Sequence, residues 1–140
     1  MTKSETIREN QDEIPTWIFW YGVIIVVGAP LLYGIMHLTG PDLGMKTLAD
    51  GSTFDTAVFK YAIRNIAAAA VAALALYKRS VPMLLIVFIM RFITEGGDLL
   101  DAFLFGELDT TSMLSYAGMM VFVALIPYAL AIRKLWPMAR

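Results

Sequence analysis

Arg91, Glu95, Asp98 and Asp101 stand inside a stretch, Pro82 to Phe105, whose other residues are almost all apolar or small. Steps of four and three residues put Arg91, Glu95 and Asp98 on one face of a helix, with Asp101 at the edge of that face. A guanidinium beside carboxyls can orient an anionic group, while two carboxyls in different surroundings supply an acid and a base. In the preceding apolar stretch Lys60 and Arg64, four residues apart, share a second face. A charged side chain near the centre of a bilayer costs about 2.5–3.5 kcal/mol on insertion scales, so such groups need partners or a task.

The composition says what surrounds them. The 140-residue chain is 59% hydrophobic and 16% charged, and its mean hydropathy is +0.67. Soluble domains carry about 25% charged residues, and so short a chain has too small a core to hide this much apolar surface. A bilayer can cover it. The net charge of −1 argues against a nucleic-acid partner. The chain has no cysteine, which excludes disulfides, thiolate metal sites and cysteine nucleophiles. Its one histidine, His37, argues against a histidine metal cluster. No metal and no cofactor is expected. Residues 1–13 are polar and lack the basic region, apolar core and cleavage site of a signal peptide, so the first apolar segment reads as a retained span.

Four apolar segments, at about 16–38, 54–77, 82–105 and 112–132, each approach the ~20 residues needed to cross the hydrocarbon. The expected fold is therefore all-α: an integral membrane four-helix bundle in a single domain, running up-down-up-down. Ser80-Val81-Pro82 suits a helix cap and first turn, Gly106 a helix end, and Ser52 with Asp55 a capping box. Pro30 and Pro127 fall inside spans, where they are tolerated as kinks. Lys3, Arg8, Lys78, Arg79, Arg133, Lys134 and Arg140 gather on the side of the termini, against Lys46 alone on the other side. The positive-inside rule then places both termini in the cytoplasm. Trp17, Trp20, Tyr21 and Trp136 suit the cytoplasmic aromatic belt. The loop after the first span, Thr39 to Thr53, reads as a surface loop, and is the one connection with room for a lid.

The few residues between the second and third spans, Lys78 to Val81, predict an antiparallel hairpin. Counted from the outer ends, Arg64 and Glu95 both lie about ten residues deep, roughly 15 Å. Lys60 falls between the levels of Asp98 and Asp101, and Arg91 lies one turn below Glu95. The expectation is a charge-balanced ladder facing the bundle interior: Lys60 and Arg64 against Glu95, Asp98 and Asp101, with Arg91 at the bottom. Ala67, Ala68 and Val71 continue the Lys60–Arg64 face, and the alanine run there would let a neighbouring helix approach closely. Asn65, beside Arg64, could hydrogen-bond into the site but points about 100° away from Arg64 on a regular helix. Tyr61, Tyr116 and Tyr128 could supply hydroxyls but read first as packing or interface residues, and His37 as an interfacial histidine. The ladder either only fixes helix register or lines a pocket open to the outer side. Gly96-Gly97 would allow close helix packing, a bulge or the approach of a ligand.

The run Tyr61-Ala62-Ile63-Arg64-Asn65, the Lys78-Arg79 turn and Gly97-Asp98 together resemble small bacterial four-helix membrane proteins of the DoxX-like type. An arginine near the start of one span and an acid near the end of the next recur in that group. The resemblance covers the general plan and the central hairpin. It implies the fold, and a place in the bacterial cytoplasmic (inner) membrane, more than an activity.

Three functions fit these features. The first is a pocket for a small amphipathic or lipidic ligand, with Glu95 and Asp98 as acid and base and with Lys60, Arg64, Arg91 and Asp101 binding and orienting it. Isomerisation, cyclisation and epoxide opening are reactions of that kind. The second is a non-enzymatic accessory or scaffold subunit of a membrane complex. The third is a proton-coupled carrier working as a homodimer, which would need acids leading to both sides. Membrane lipid is a partner in all three.

Overall fold

The computed structural model describes residues 14–39, 56–105 and 110–139. Four helices carry almost all of them: α1 (Thr16–Thr39), α2 (Thr56–Tyr77), α3 (Val81–Phe105) and α4 (Thr110–Leu135). A 3₁₀ turn, Pro137–Ala139, follows α4. No strand occurs among the described residues. The loop considered as a lid, the Ser52–Asp55 cap and Gly106 lie outside them.

Local chemistry accounts for the helix ends that are described. The Pro15 carbonyl accepts from the Ile18 and Phe19 amides at 2.9 and 3.1 Å and opens α1. The Ser80 carbonyl accepts from the Leu84 amide at 2.9 Å, and Pro82 occupies the first turn of α3, where its missing N–H costs nothing. Arg79, at φ 46°, takes the left-handed conformation that ends a helix, just beyond α2.

Both prolines inside spans follow a widened turn. Residues Gly22–Gly28 of α1 and Met120–Leu125 of α4 are π-helical. The Ala29 amide donates to the Ile24 carbonyl, and the Ile126 amide to the Val121 carbonyl, five residues back in each case. In a regular helix the rings of Pro30 and Pro127 would press on the carbonyls of Val26 and Val123. The wider turn relieves that clash while keeping backbone groups bonded, as a bilayer demands.

By their contacts the helices group into two compact units that meet between Lys78 and Arg79, where the sequence reads as one domain. Each unit has its own packing logic. In the first, α1 buries Ile18, Gly22, Val26, Pro30 and Gly34, one residue in four. Such a row drifts by about 40° per step on a regular helix, and the π turn offsets part of the drift. Gly22 lies against Leu76, and Gly34 against Ala62 and Ile66, so α1 and α2 run antiparallel. The face of α2 that is buried is Ala62, Asn65, Ala69, Ala72 and Ala75. Small residues on both helices let the backbones approach, the usual basis of helix association in lipid.

The second unit pairs α3 with α4. Phe88 meets Tyr128 edge to face, with ring centres 5.8 Å apart, and Gly96 lies beside Leu125. These contacts make the pair antiparallel. Leu84, Val87 and Phe88 of α3 and Tyr128, Ala131 and Leu135 of α4 are almost fully buried.

Three described helices, α1, the Phe59–Tyr77 part of α2, and α4, are long and apolar enough to cross a membrane. The sequence predicts four spans. α3, at 25 residues, has the length, but its four charges leave no 18-residue stretch with fewer than three. Large apolar side chains lie exposed on every helix, among them Ile24, Leu32, Ile63, Ile86, Ile93, Leu104, Leu114 and Phe122. So much exposed apolar surface is foreign to a water-facing monomer and matches a lipid-facing one.

Candidate functional site

The i,i+4 spacing on α3 forms the expected ion pair: an Arg91 guanidinium nitrogen contacts a Glu95 carboxylate oxygen. The two side chains are 10% and 14% exposed. Arg91 continues the buried row of Leu84 and Phe88, so the helix carries a charge into its packed face and pairs it with Glu95 one turn on. Asp98, one turn further, is half-buried, and Asp101 is exposed. Thr94 spends its hydroxyl on the Arg91 carbonyl at 3.1 Å.

Between Glu95 and Asp98 the surface is open. A Cβ built on Gly97 meets no atom within 4 Å, and one built on Gly96 meets only a Leu125 methyl, at 4.0 Å. Gly96 faces Leu125 of α4, but close helix packing, the commonest reason for paired glycines, is not the role of Gly97 among the described residues. Two glycines in a helix cost about 1 kcal/mol each relative to alanine. Here that cost leaves free space directly beside two carboxyls.

The basic face of α2 differs from the expectation. Lys60 and Arg64 are exposed, and so are Ala67 and Val71 of the same face, while Ala68 is buried. The interior of the first unit is instead the Ala62–Asn65–Ala69–Ala72 face. The physical reason is the close approach of α1, whose Gly34 stands against the Ala62 backbone and the Ile66 side chain and whose Gly22 stands against Leu76, leaving no room on that face for long cations. Of the six charges, Arg91 is buried, Glu95 and Asp98 are half-buried, and Lys60, Arg64 and Asp101 are exposed. Lys60 and Arg64 belong to the first unit and the other four to the second. Asn65 turns inward, and its amide donates to the Tyr61 carbonyl at 3.0 Å.

One grouping was not foreseen. Tyr33, His37, Tyr61 and Arg64 gather where α1 meets α2. Tyr33 and His37 have ring centres 4.2 Å apart, and the Tyr61 ring lies 6.1 Å from Tyr33 and 5.9 Å from His37. The Arg64 guanidinium carbon stands 5.0 Å from the Tyr61 ring centre, within cation–π range. His37 Nδ1 donates to the Tyr33 carbonyl at 2.8 Å, which leaves Nε2 as an acceptor in the neutral ring. The i,i+4 and i,i+3 spacings signal each pair in the sequence, but nothing there signals their meeting across two helices.

No protein-family model matches this chain, and no curated protein or solved structure is significantly similar to it.

Proposed function

We propose that this is a bacterial cytoplasmic-membrane protein of four spans, up-down-up-down with both termini cytoplasmic, that binds a small amphipathic or lipidic ligand at the acidic turn of α3. Glu95 and Asp98 serve as acid and base towards that ligand, and Arg91 holds Glu95 in place. Asp101, exposed near the outer end of α3, offers that ligand a further hydrogen-bond acceptor. α3 crosses the bilayer with its most deeply placed acid, Glu95, paired to Arg91 on the same helix. The DoxX-like resemblance belongs to the same reading, at the level of fold.

The observation that carries it is the open space at Gly97, between the two carboxyls. Charges that only fixed register would be served better by alanine at both positions, which favours the helix by about 1 kcal/mol each. Native mass spectrometry of the gently solubilised protein tests the reading. A discrete mass bound one-to-one is expected, absent from Glu95→Gln and Gly97→Leu while both variants stay helical. Leucine strengthens the helix and fills the space, so a merely structural turn would tolerate it. Retention of the mass in both variants would sink the assignment.

A second reading, an accessory subunit or homodimer, is favoured by the exposure of Lys60 and Arg64. A further chain would cover them. Wild-type protein that carries no ligand and appears only with other chains would establish it.

A further inference from the structure

We propose that the groove between α3 and the C-terminal end of α4 holds one anionic phospholipid of the cytoplasmic leaflet, its acyl chain along the apolar floor and its phosphate at Arg133. The groove measures about 490 Å³ and is lined by Ile89, Phe92, Ala129, Ile132, Arg133 and Trp136. That is within the range of small-molecule pockets, about 300–1,000 Å³. It lies wholly within the α3–α4 unit and shares no residue with the acidic turn.

Three features select this occupant. The lining is apolar except for one guanidinium, which matches a molecule with a long apolar body and a single anionic head. Arg133 sits in the last turn of α4 and Trp136 caps its end, so the cation and the indole stand at one end of the groove. That end belongs to the basic side of the protein, where headgroups meet aromatic side chains and where anionic lipids attract lysine and arginine. Ala129 contributes only a methyl group to the lining. Arg133 and Lys134 also oppose the negative end of the α4 dipole. That role needs no groove and makes no distinction between the two residues.

The test offers the purified protein an equimolar mixture of palmitoyl-oleoyl phosphatidylglycerol and phosphatidylcholine and counts retained lipid by native mass spectrometry. One phosphatidylglycerol per chain is expected, favoured over phosphatidylcholine by about fivefold, the size of one basic contact at a membrane surface. Arg133→Gln should bring the two lipids to parity, and Ala129→Phe should lose both. Lys134→Gln, outside the groove, should keep the preference. Ala129 and Arg133 are exposed, so neither change disturbs the core; Ala129→Leu is a milder filling variant should phenylalanine reduce helicity. Parity in the wild type, a preference that survives Arg133→Gln, or a lipid-free dimer sealed through this face would each overturn the proposal.

Discussion

Glu95→Leu is expected to destabilise the α3–α4 unit by about 3–5 kcal/mol, and adding Arg91→Leu to it is expected to recover most of the loss. Arg91 is 8% exposed and sits on the packed side of α3, where its guanidinium meets Glu95. Removing the carboxylate alone strands a positive charge there. Removing both groups leaves an apolar pair on an apolar row, a change that is often neutral or stabilising. Glu95→Gln differs in kind, because its amide oxygen still accepts a hydrogen bond from Arg91, so folding should survive while proton transfer does not. Unfolding in mixed micelles, followed by circular dichroism, measures all four proteins. Equal stability of Glu95→Leu and wild type would show that the Arg91 charge needs no partner at its position.

Gly34→Ala is expected to cost about 1–3 kcal/mol by forcing α1 and α2 apart. A Cβ at residue 34 would stand 2.7 Å from Ile66 Cγ1 and 3.0 Å from the Ala62 carbonyl oxygen. The carbonyl is helix backbone and cannot yield without moving α2. Gly22→Ala meets a softer neighbour, the terminal methyls of Leu76 at 3.0 and 3.2 Å, which can rotate aside. The expected ranking in thermal unfolding is therefore wild type, then Gly22→Ala, then Gly34→Ala. A Gly34→Ala protein as stable as wild type would mean that the α1–α2 crossing is looser than these distances require.

Hydropathy makes four helices legible in the sequence, with described ends within about three residues of those expected. The Arg91–Glu95 pair is legible too, because i,i+4 spacing on one helix needs no knowledge of any other helix. The packed face of α2 is not. Alanine at 67 to 70 is small in every direction, so periodicity cannot choose between the Lys60–Arg64 face and the Ala62–Asn65 face. The choice is made by Gly22 and Gly34 of α1, through a register between helices that one sequence does not contain. The Tyr33–His37–Tyr61–Arg64 grouping escapes for the same reason. Pro30 and Pro127 announce a disturbance, but the form it takes, a π turn on the N-terminal side of each, comes from keeping every backbone group bonded. Gly96-Gly97 is ambiguous in sequence between packing and space, and only the surroundings of Gly97 decide it.

Whether charged α3 crosses the bilayer is the point on which the functional reading turns, and cysteine labelling tests it directly. The chain has no cysteine, so single Ser80→Cys and Thr110→Cys variants report on the two sides of α3 without background. With a membrane-impermeant maleimide on intact spheroplasts, Thr110→Cys is expected to react at once and Ser80→Cys only after permeabilisation. Both positions reacting from the same side would contradict the four-span arrangement and remove α3, with Glu95 and Asp98, from the membrane interior.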